Sequence, residues 1–340
     1  MSEAQLFQTA TASPGHGATL AQPHTKQALR TVVARDVDQH AHNLTNWEQR
    51  YDQLACGAFE GVLDEWQSAG LQIFREGTSR AIRQSCRVWP DAFWFGIEAR
   101  AGGMRINGRQ VGADAVMTRP GGCEFELVTP DRHEIYGIVV QRDALLATAA
   151  RLGCDVDWGK LVQAELLSVE HEGLDSCRRH IGELLQLAGG MHGVAGNAAL
   201  QLRQEAVLVS LLALLDGGEI EAGAGASLQR RRRIVNDARE YAMAQHENPV
   251  TVPMLCEAVH VSRRTLQYCF EDVLGISPMT YLRSLRLNGV RRALWASDGK
   301  HAIGDIAAAW GFANFSQFSC DYKKLFGETP SAAVQGRTRH

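Results

Sequence analysis

The sequence predicts an α+β protein with a β-barrel-like N-terminal domain, a helical segment and an all-α C-terminal domain. Short strand-like segments separated by Gly and Pro fill the region from Trp47 to about Val140, and helical periodicity begins after Asp143. The last third of the chain contains one helical pattern twice. With 340 residues, the chain is long enough for two domains, since one domain usually takes about 100–200 residues.

The composition is that of an ordinary globular protein. Hydrophobic residues make up 45% and charged residues 21% of the chain, which excludes a mostly disordered, collagen-like or coiled-coil protein. The longest apolar stretch, Ala206–Leu215, is shorter than the roughly 20 residues that a membrane span needs. The first residues lack the features of a secretory signal, and the eight Cys include no Cys-x-x-Cys pair. We therefore expect a cytoplasmic protein with reduced thiols and no membrane partner.

The N-terminal part of the chain predicts strands after an irregular start. Residues 1–45 are rich in Thr, Ala, Gln and His without sustained periodicity, so we interpret them as a flexible arm. Strand-like segments follow at 71–76, 83–90, 93–97 and 134–140. Asn107-Gly108 predicts a tight hairpin, because both central residues of such a turn need positive φ. These features favour a small β-barrel or sandwich.

Helical segments complete this domain, which we assign to residues 46–216. Segments near 143–152, 174–188 and 197–216 have an apolar face, and the last is apolar nearly all round. Such a helix must be buried, and two interpretations remain open, a core helix and the contact of a homodimer. The Gly-rich segment that follows predicts a linker over 217–229. The C-terminal domain is assigned to 230–340.

The net charge of −3 conceals a difference between the two parts of the chain. Residues 227–340 contain 16 Lys and Arg against 10 Asp and Glu, whereas residues 1–226 contain 19 against 28. A basic segment beside an acidic one is typical of a nucleic-acid-binding domain joined to a separate module, because phosphate binding needs clustered Lys and Arg. Chance asymmetry of solvated charge gives the same numbers, so charge alone leaves both interpretations open.

The C-terminal domain contains two copies of a helix-turn-helix pattern, at 251–278 and 302–330. Each copy has a small residue, Ala258 or Ala309, where its two helices cross closely. Ser262 is placed to cap the second helix of the first copy, and a Gly follows the second helix of each copy. Two such patterns in register are a much more specific signal than one.

Double-stranded operator DNA is the partner that this pattern predicts. Apolar residues at i, i+3, i+4 and i+7 bury one face of each second helix and leave the opposite face for base edges. The predicted base-contacting residues are Arg263, Arg264, Gln267 and Tyr268 in the first copy and Asn314, Ser316, Gln317, Ser319 and Lys323 in the second.

Residues 278–297 predict a helix that separates the two copies by about 30 Å. This is close to the roughly 34 Å between successive major-groove faces on one side of DNA. The phosphate-contact candidates on this helix are Arg283, Arg286, Arg291 and Arg292. For each of them, a solvated surface arginine without a role in DNA binding is the alternative.

The C-terminal domain resembles AraC/XylS transcription regulators over roughly residues 230–335, through SRRTLQYCFEDVLGISPMTYL and the GF…QF…Y…LFGETPS block. Segments further N-terminal, among them IFRE (73–76), RQSCRVWP (83–90) and TRPGG-x-EFEL (118–127), are similar to the ethanolamine-utilisation operon regulators. That resemblance implies an activator that works with RNA polymerase and senses ethanolamine together with adenosylcobalamin. The chain departs from the family at Cys320, where many members carry Arg, so the operator sequence is not carried over.

Ethanolamine is a small ammonium alcohol, so its pocket needs a carboxylate and aromatic faces. The residues of this chemistry in the resembling segments are Trp89, Trp94, Glu98 and Glu124. Packing of the tryptophans and solvation of the glutamates are the alternative interpretation. The cobalamin motif Asp-x-His-x-x-Gly is absent, because Asp131–Gly137 has one residue too many. Adenosylcobalamin is therefore an effector implied by the resemblance only, and we expect no catalytic cofactor.

Other functions remain open. A regulator of the same family could sense a different small amine or another metabolite, and a repressor without an effector would occupy its DNA site ligand-free. An enzyme that carries a DNA-binding domain is a further alternative, but the sequence has no reactive-Cys setting, Ser/His/Asp arrangement or paired carboxylates typical of catalysis. His40-x-His42 resembles the metal pair of cupin enzymes, yet it precedes the barrel and lacks a downstream Glu at matching spacing, so we expect no metal site.

Overall fold

The computed structural model describes residues 29–190, 194–221, 223–248, 250–297 and 301–337. The strands are β1 (Arg30–Ala34), β2 (Glu48–Gln53), β3 (Gly61–Ser68), β4 (Leu71–Thr78), β5 (Ile82–Arg87), β6 (Ala92–Glu98), β7 (Arg105–Ile106), β8 (Arg109–Gln110), β9 (Ala115–Pro120), β10 (Glu124–Thr129), β11 (His133–Gln141), β12 (Leu166–Ser168) and β13 (Glu219–Ile220).

The helices fall into two groups, one for each domain. Those of the N-terminal domain are α1 (Val37–Ala41), α2 (Arg142–Leu152), α3 (Trp158–Leu161), α4 (His171–Gly190) and α5 (Val194–Gly217). Those of the C-terminal domain are α6 (Ala226–Ala244), α7 (Val252–Ala258), α8 (Arg263–Leu274), α9 (Pro278–Ala296), α10 (Ile303–Ala309), α11 (Phe315–Phe326) and α12 (Pro330–Arg337). The predicted α+β class is confirmed.

Two antiparallel sheets form the N-terminal domain. The larger has the strand order β1-β3-β4-β11-β6-β9-β12-β13 and the smaller β2-β5-β10-β7-β8, so the sheets enclose a core without closing into one barrel. Side chains alternate along each strand: on β6, Trp94 faces the core between the sheets, whereas Phe93 and Phe95 face the helices. The larger sheet is therefore covered on both faces, which explains why β6 is hydrophobic at consecutive positions.

The predicted strands and hairpin are confirmed. The four strand-like segments correspond to β4, β5, β6 and β11. Asn107 and Gly108 have φ of 47° and 75° and connect β7 to β8, as a tight turn with positive φ at both positions requires.

Helices α4 and α5 cover the outer face of the larger sheet. Val207, Leu211 and Leu215 of α5 are buried in a core shared with α4, so one face of this apolar helix belongs to the core, as one of the two interpretations expected. Within the described residues, Asn197–Gly217 is the one helical stretch long and apolar enough to cross a membrane by length and composition. Leu202 and Val209 are 68% and 47% exposed, and the homodimer stays a prediction.

The C-terminal domain has two cores joined by α9. Tyr281 and Leu285 pack with α6, α7 and α8, while Leu287, Val290 and Leu294 pack with α10, α11 and α12. Both helix-turn-helix units are therefore built on one helix.

Two segments differ from the sequence prediction. Of the predicted arm at 1–45, residues 1–28 lie outside the described part, but β1 pairs with β3 and the Arg30 guanidinium lies 2.7 Å from the Glu65 carboxylate. In the predicted linker at 217–229, β13 pairs with β12, and α6 already begins at Ala226. Composition did not predict the pairing of β1 or β13, because the strands with which they pair lie far away in the sequence.

Candidate nucleic-acid interface

The first helix-turn-helix unit is formed by α7 and α8. Ser262 caps α8, since its Oγ accepts a hydrogen bond from the backbone N–H of Thr265 at 3.1 Å, and Gly275 ends the helix with a φ of 73°. Leu266 and Phe270 are fully buried. The predicted cap and buried face are confirmed, and the N-terminal half of α8 is left facing outward.

The side chains predicted to read DNA lie on this outward face of α8. Arg263 and Arg264 are exposed, and Tyr268 is 56% exposed. Gln267 is half-buried, and its amide donates a hydrogen bond to the Glu271 carboxylate one turn later. This bond uses one N–H of the Gln267 amide and leaves the second N–H and the carbonyl oxygen for a base edge.

The second unit, α10 and α11, has the same construction. Asn314 is the N-cap of α11, and its Oδ1 accepts a hydrogen bond from the backbone N–H of Gln317 at 3.0 Å. Its carbonyl oxygen therefore has a structural role that the sequence prediction missed. The exposed or half-exposed residues on the outer face are Ser316, Gln317, Ser319 and Lys323, as predicted, together with Phe315, which is 51% exposed.

Helix α9 runs without interruption between the two units. It has 19 residues and is thus about 28 Å long, and Ser277 caps its start at 3.2 Å from the Thr280 backbone N–H. The continuous helix predicted between the two copies is confirmed over Pro278–Ala296. Arg286 donates to the backbone carbonyl of Val250 at 2.9 Å. Arg283 lies 3.6 Å from the Asp321 carboxylate, but its side chain is 56% exposed, so Arg283 is the more accessible phosphate-contact candidate.

The prediction that Arg291 contacts phosphate was wrong. Its side chain is buried between the domains, where it forms an ion pair with Asp36 and a 2.7 Å ion pair with Glu328. It also donates to the Tyr322 hydroxyl at 3.1 Å and lies 4.6 Å from the ring centroid of Phe326. These groups use three of the five N–H donors of the guanidinium, and because Arg291 is only 5% exposed, its side chain is not accessible to DNA.

The prediction for Arg292 was wrong for a similar reason. Its guanidinium lies 2.9 Å from Asp52 and donates to the Tyr51 carbonyl at 3.3 Å. Burial alone would raise the pKa of Asp52, but Arg292 and Arg83 lower it below its usual value. Arg292 therefore holds the two domains together as part of a charged, buried pair.

Helix α9 packs against strand β2, and we call this surface the α9–β2 contact. It is formed by Asn288 and Arg292 of α9 and by Tyr51, Asp52 and Gln53 of β2. The Asn288 Oδ1 accepts from the Gln53 N–H and its Nδ2 donates to the Gln53 carbonyl, both at 3.0 Å. Because β2 is an edge strand, its outer backbone groups have no strand partner. Helix α9 supplies these partners.

Two further contacts join the domains around the α9–β2 contact. The Gly57 N–H donates to the Leu325 carbonyl at 2.9 Å, which connects the loop after β2 to the end of α11. On the other side, Glu126 accepts from Arg239 at 3.0 Å and forms an ion pair with the buried Arg83. The DNA-binding domain thus contacts the N-terminal domain through surfaces other than its recognition faces.

Two of the predicted effector residues are buried. Trp94 is 1% exposed and stacks on Phe125 with ring centroids 4.7 Å apart. Glu98 is 2% exposed, and burial raises the pKa of its carboxyl group; one of its oxygens lies 3.7 Å from Nδ1 of His133. Trp94 has the packing role that the alternative interpretation gave it.

The other two predicted effector residues lie elsewhere. Trp89 is half-buried at a cavity of about 450 Å³, and Glu124 is exposed in an ion pair with Arg87. Trp89 and Glu124 line different cavities. The structure therefore does not bring the four residues together into one pocket.

The residues at the domain interface were missed by sequence reasoning. For two of them the sequence carried a signal: Arg291 lies four residues after Leu287 and three before Leu294, and Asn288 lies three residues after Leu285 and seven after Tyr281. That spacing places both on the buried face of the helix. Their partners on β2 and α1 gave no comparable signal.

Comparison with known proteins identifies the C-terminal region. Residues 255–336 match the family described as a helix-turn-helix domain. The chain is 36% identical over 99 residues to the probable thc operon regulatory protein of Rhodococcus erythropolis, a match that covers 29% of this chain and 30% of that protein. It is 28% identical over 240 residues to the transcriptional activator RhaR of Pectobacterium atrosepticum, covering 68% of this chain and 81% of that protein.

Solved structures show likeness of the same kind. The AraC-like activator CuxR is 18% identical, covers 82% of this chain and all of its own, and has a TM-score of 0.39. A regulator with an AraC-type DNA-binding domain from Chromobacterium violaceum is 30% identical and covers 33% of this chain and 97% of its own, with a TM-score of 0.30. Scores this low carry no argument about function. Residues 255–336 therefore carry a helix-turn-helix domain, and the sequence relatives of the chain include transcriptional regulators.

Proposed function

We propose that this protein binds operator DNA sequence-specifically through α8 and α11 and acts in the cytoplasm as a transcriptional activator. The observation that carries the proposal is the exposed outer face of both helices at the two ends of the continuous helix α9. A helix of about 28 Å is near the spacing of successive major-groove faces. Relatives named as activators support activation, for which RNA polymerase is the expected partner.

We propose an amine as the effector: the sequence resemblance supports ethanolamine, and a different amine is the alternative. Support comes from the sequence segments at 73–76, 83–90 and 118–127 that are similar to ethanolamine-utilisation regulators. A homodimer formed through the exposed side of α5, where Leu202 and Val209 lie, is part of the same proposal.

Adenosylcobalamin as a second effector has support from that resemblance alone. Its family motif would use a histidine as cobalt ligand, and His133 is the histidine in the related segment. This side chain is 6% exposed within β11, and burial lowers its pKa to about 4. A buried ring in a sheet cannot reach a corrin, so His133 does not fit this group.

Selection of DNA from a random-sequence pool with the full-length chain tests the DNA-binding proposal. We expect footprints on the enriched sequences to contain two protected segments about one helical turn apart. Arg264→Ala or Gln267→Ala should weaken binding to the enriched site by about 1–3 kcal/mol, roughly 5- to 150-fold, and weaken binding to unselected DNA less.

Arg179→Ala is the matched control, since Arg179 is an exposed arginine of α4 in the other domain. It should leave DNA affinity unchanged. A single short protected segment, or equal losses on enriched and unselected DNA, would contradict base reading by these helices.

A further inference from the structure

A cavity of about 760 Å³ lies between the two domains, apart from the recognition faces of α8 and α11. The N-terminal domain contributes α1 and the loop before β3, and the C-terminal domain contributes the end of α9 and the α11–α12 junction. The volume lies within the range of small-molecule sites, about 300–1,000 Å³. A molecule bound here would touch both domains at once.

One part of the cavity wall is apolar. Phe59 comes from the N-terminal domain, and Trp295 and Phe326 come from the C-terminal domain. Phe59 and Phe326 are each 4% exposed, so their positions are fixed by packing. Trp295 is half-buried and offers an aromatic surface to the body of a ligand, whereas Phe59 and Phe326 expose only a small part of their rings.

The charged part of the wall has an excess of carboxylates. Asp36, Asp38 and Glu328 face two arginines, Arg35 and Arg291. Arg291 is already paired with Asp36 and Glu328, so its charge is compensated. Arg35 is exposed at the edge of the cavity.

Asp38 is the carboxylate with the fewest partners. The side chain is half-buried, and within the described residues its oxygens accept no hydrogen bond; the nearest cation is Arg292, at 3.9 Å. Burial raises the pKa of this carboxyl group, while Arg292 opposes the rise. The Asp38 side chain is 22% exposed, so water can donate to its oxygens, and a ligand ammonium would displace that water and form a charge-assisted hydrogen bond.

We infer that this cavity is the effector site and that it binds a primary amine attached to an apolar or aromatic group. The ammonium would donate to Asp38, and the apolar group would lie against Phe59, Trp295 and Phe326. Ethanolamine has the required ammonium but would fill little of the volume. Because the ligand touches both domains, it binds the docked arrangement more tightly and stabilises it. The interpretation of this cavity as an effector site rests on the proposed function, in which the protein is a transcriptional regulator with a small-molecule effector.

Calorimetric titration of the full-length chain, without DNA, tests the inference with three probes. Phenethylamine carries an ammonium on an aromatic body, 3-phenylpropanoate has the same body with a carboxylate, and ethanolamine has the ammonium without the aromatic body. We expect phenethylamine to bind at least tenfold more tightly than ethanolamine, and 3-phenylpropanoate to give no binding. Phenethylamine should also raise the melting temperature, as a ligand of the folded state does.

Asp38→Asn should weaken phenethylamine binding at least tenfold and should fold normally, because the Asp38 side chain makes no hydrogen bond in the described structure. Asp143→Asn, an exposed carboxylate on α2, is the matched control and should bind phenethylamine like the natural chain. Trp295→Ala should weaken phenethylamine binding more than ethanolamine binding.

The inference is overturned if neither amine binds at millimolar concentration, if 3-phenylpropanoate binds as well as phenethylamine, or if Asp38→Asn leaves the affinity unchanged. A negative result for this site can be distinguished from a negative result for the proposed DNA binding, because the selection of DNA needs no amine. A chain that enriches a DNA sequence but binds no amine refutes this site only.

Discussion

Asn288→Ala should release the DNA-binding domain from the edge of the smaller sheet. The Asn288 side chain is 1% exposed and makes two hydrogen bonds to the backbone of Gln53, each at 3.0 Å. The substitution leaves a buried N–H and a buried carbonyl of an edge strand without partners. Each such group costs about 1–3 kcal/mol, and water that enters the gap reduces the cost, so we expect a loss of about 2–4 kcal/mol in total.

Hydrogen exchange at Gly57 measures this loss separately from the stability of either domain. The Gly57 N–H donates to the Leu325 carbonyl across the interface, and the substitution at Asn288 does not touch it. If exchange follows opening of the interface, a loss of 2–4 kcal/mol accelerates it roughly 30- to 1,000-fold, at about 1.4 kcal/mol for each factor of ten.

Asn197→Ala is the matched control, because Asn197 is an exposed residue of α5. It should change stability by no more than about 0.5 kcal/mol and leave exchange at Gly57 unchanged. If Asn288→Ala also leaves exchange at Gly57 within twofold of the natural chain, the domains are not docked through α9 and β2 in solution.

Three further predictions test other parts of the structure. Arg283→Ala should weaken DNA binding about equally on all sequences and reduce the slope of log K against log salt by about 1, measured by titration at several salt concentrations. Arg179→Ala, which removes an exposed arginine of the other domain, should change neither. Gly289→Ala should lower the melting temperature, because a Cβ there would lie 2.1 Å from the Trp310 ring. Gly182→Ala on α4 is the control: its Cβ meets nothing within 4 Å, and it should raise stability by about 0.4–1 kcal/mol. An equal response of the two variants would contradict the packing described. Burial lowers the pKa of His133 to about 4, below the unfolded value of about 6.5, so the folded state binds fewer protons than the unfolded state. Up to about 3 kcal/mol of stability should therefore be lost as pH falls from 6.5 to 4. Urea unfolding of His133→Gln over this range should lack that loss, and an identical pH dependence of the two proteins would refute the prediction.

Local patterns were enough to predict most secondary structure and both recognition helices. Caps such as Ser262, the Asn107-Gly108 turn and the apolar stripe of α8 depend on residues within a few positions of one another, and sequence spacing reports such relations directly. The same locality explains the limits of the site prediction. Arg291 was interpreted by its charge, although its spacing from Leu287 and Leu294 places it on the buried face of α9.

The four predicted effector residues do not form one site, because they were chosen by the chemistry of their side chains and not by their position in the fold. Trp94 lies on a strand buried on both faces, where an aromatic residue fills the core. The cavity between the domains is lined by residues far apart in sequence, for example Phe59 and Trp295. Neither residue lies in a motif, so only the packing of the two domains brings them together.

The position of α9 suggests how the state of one domain reaches both recognition helices. One half of α9 lies in the core of the first unit and the other half in the core of the second, so a displacement of α9 moves α8 and α11 together. Three residues in the C-terminal half of α9, within two turns of one another, fix it to the N-terminal domain: Asn288, Arg291 and Arg292. Arg291 also lines the cavity between the domains. A ligand in that cavity would therefore contact Arg291, one of the three residues that hold α9 to the N-terminal domain. Because docking leaves the recognition faces exposed, the ligand would control the orientation of α8 and α11 relative to the N-terminal domain rather than cover or uncover them.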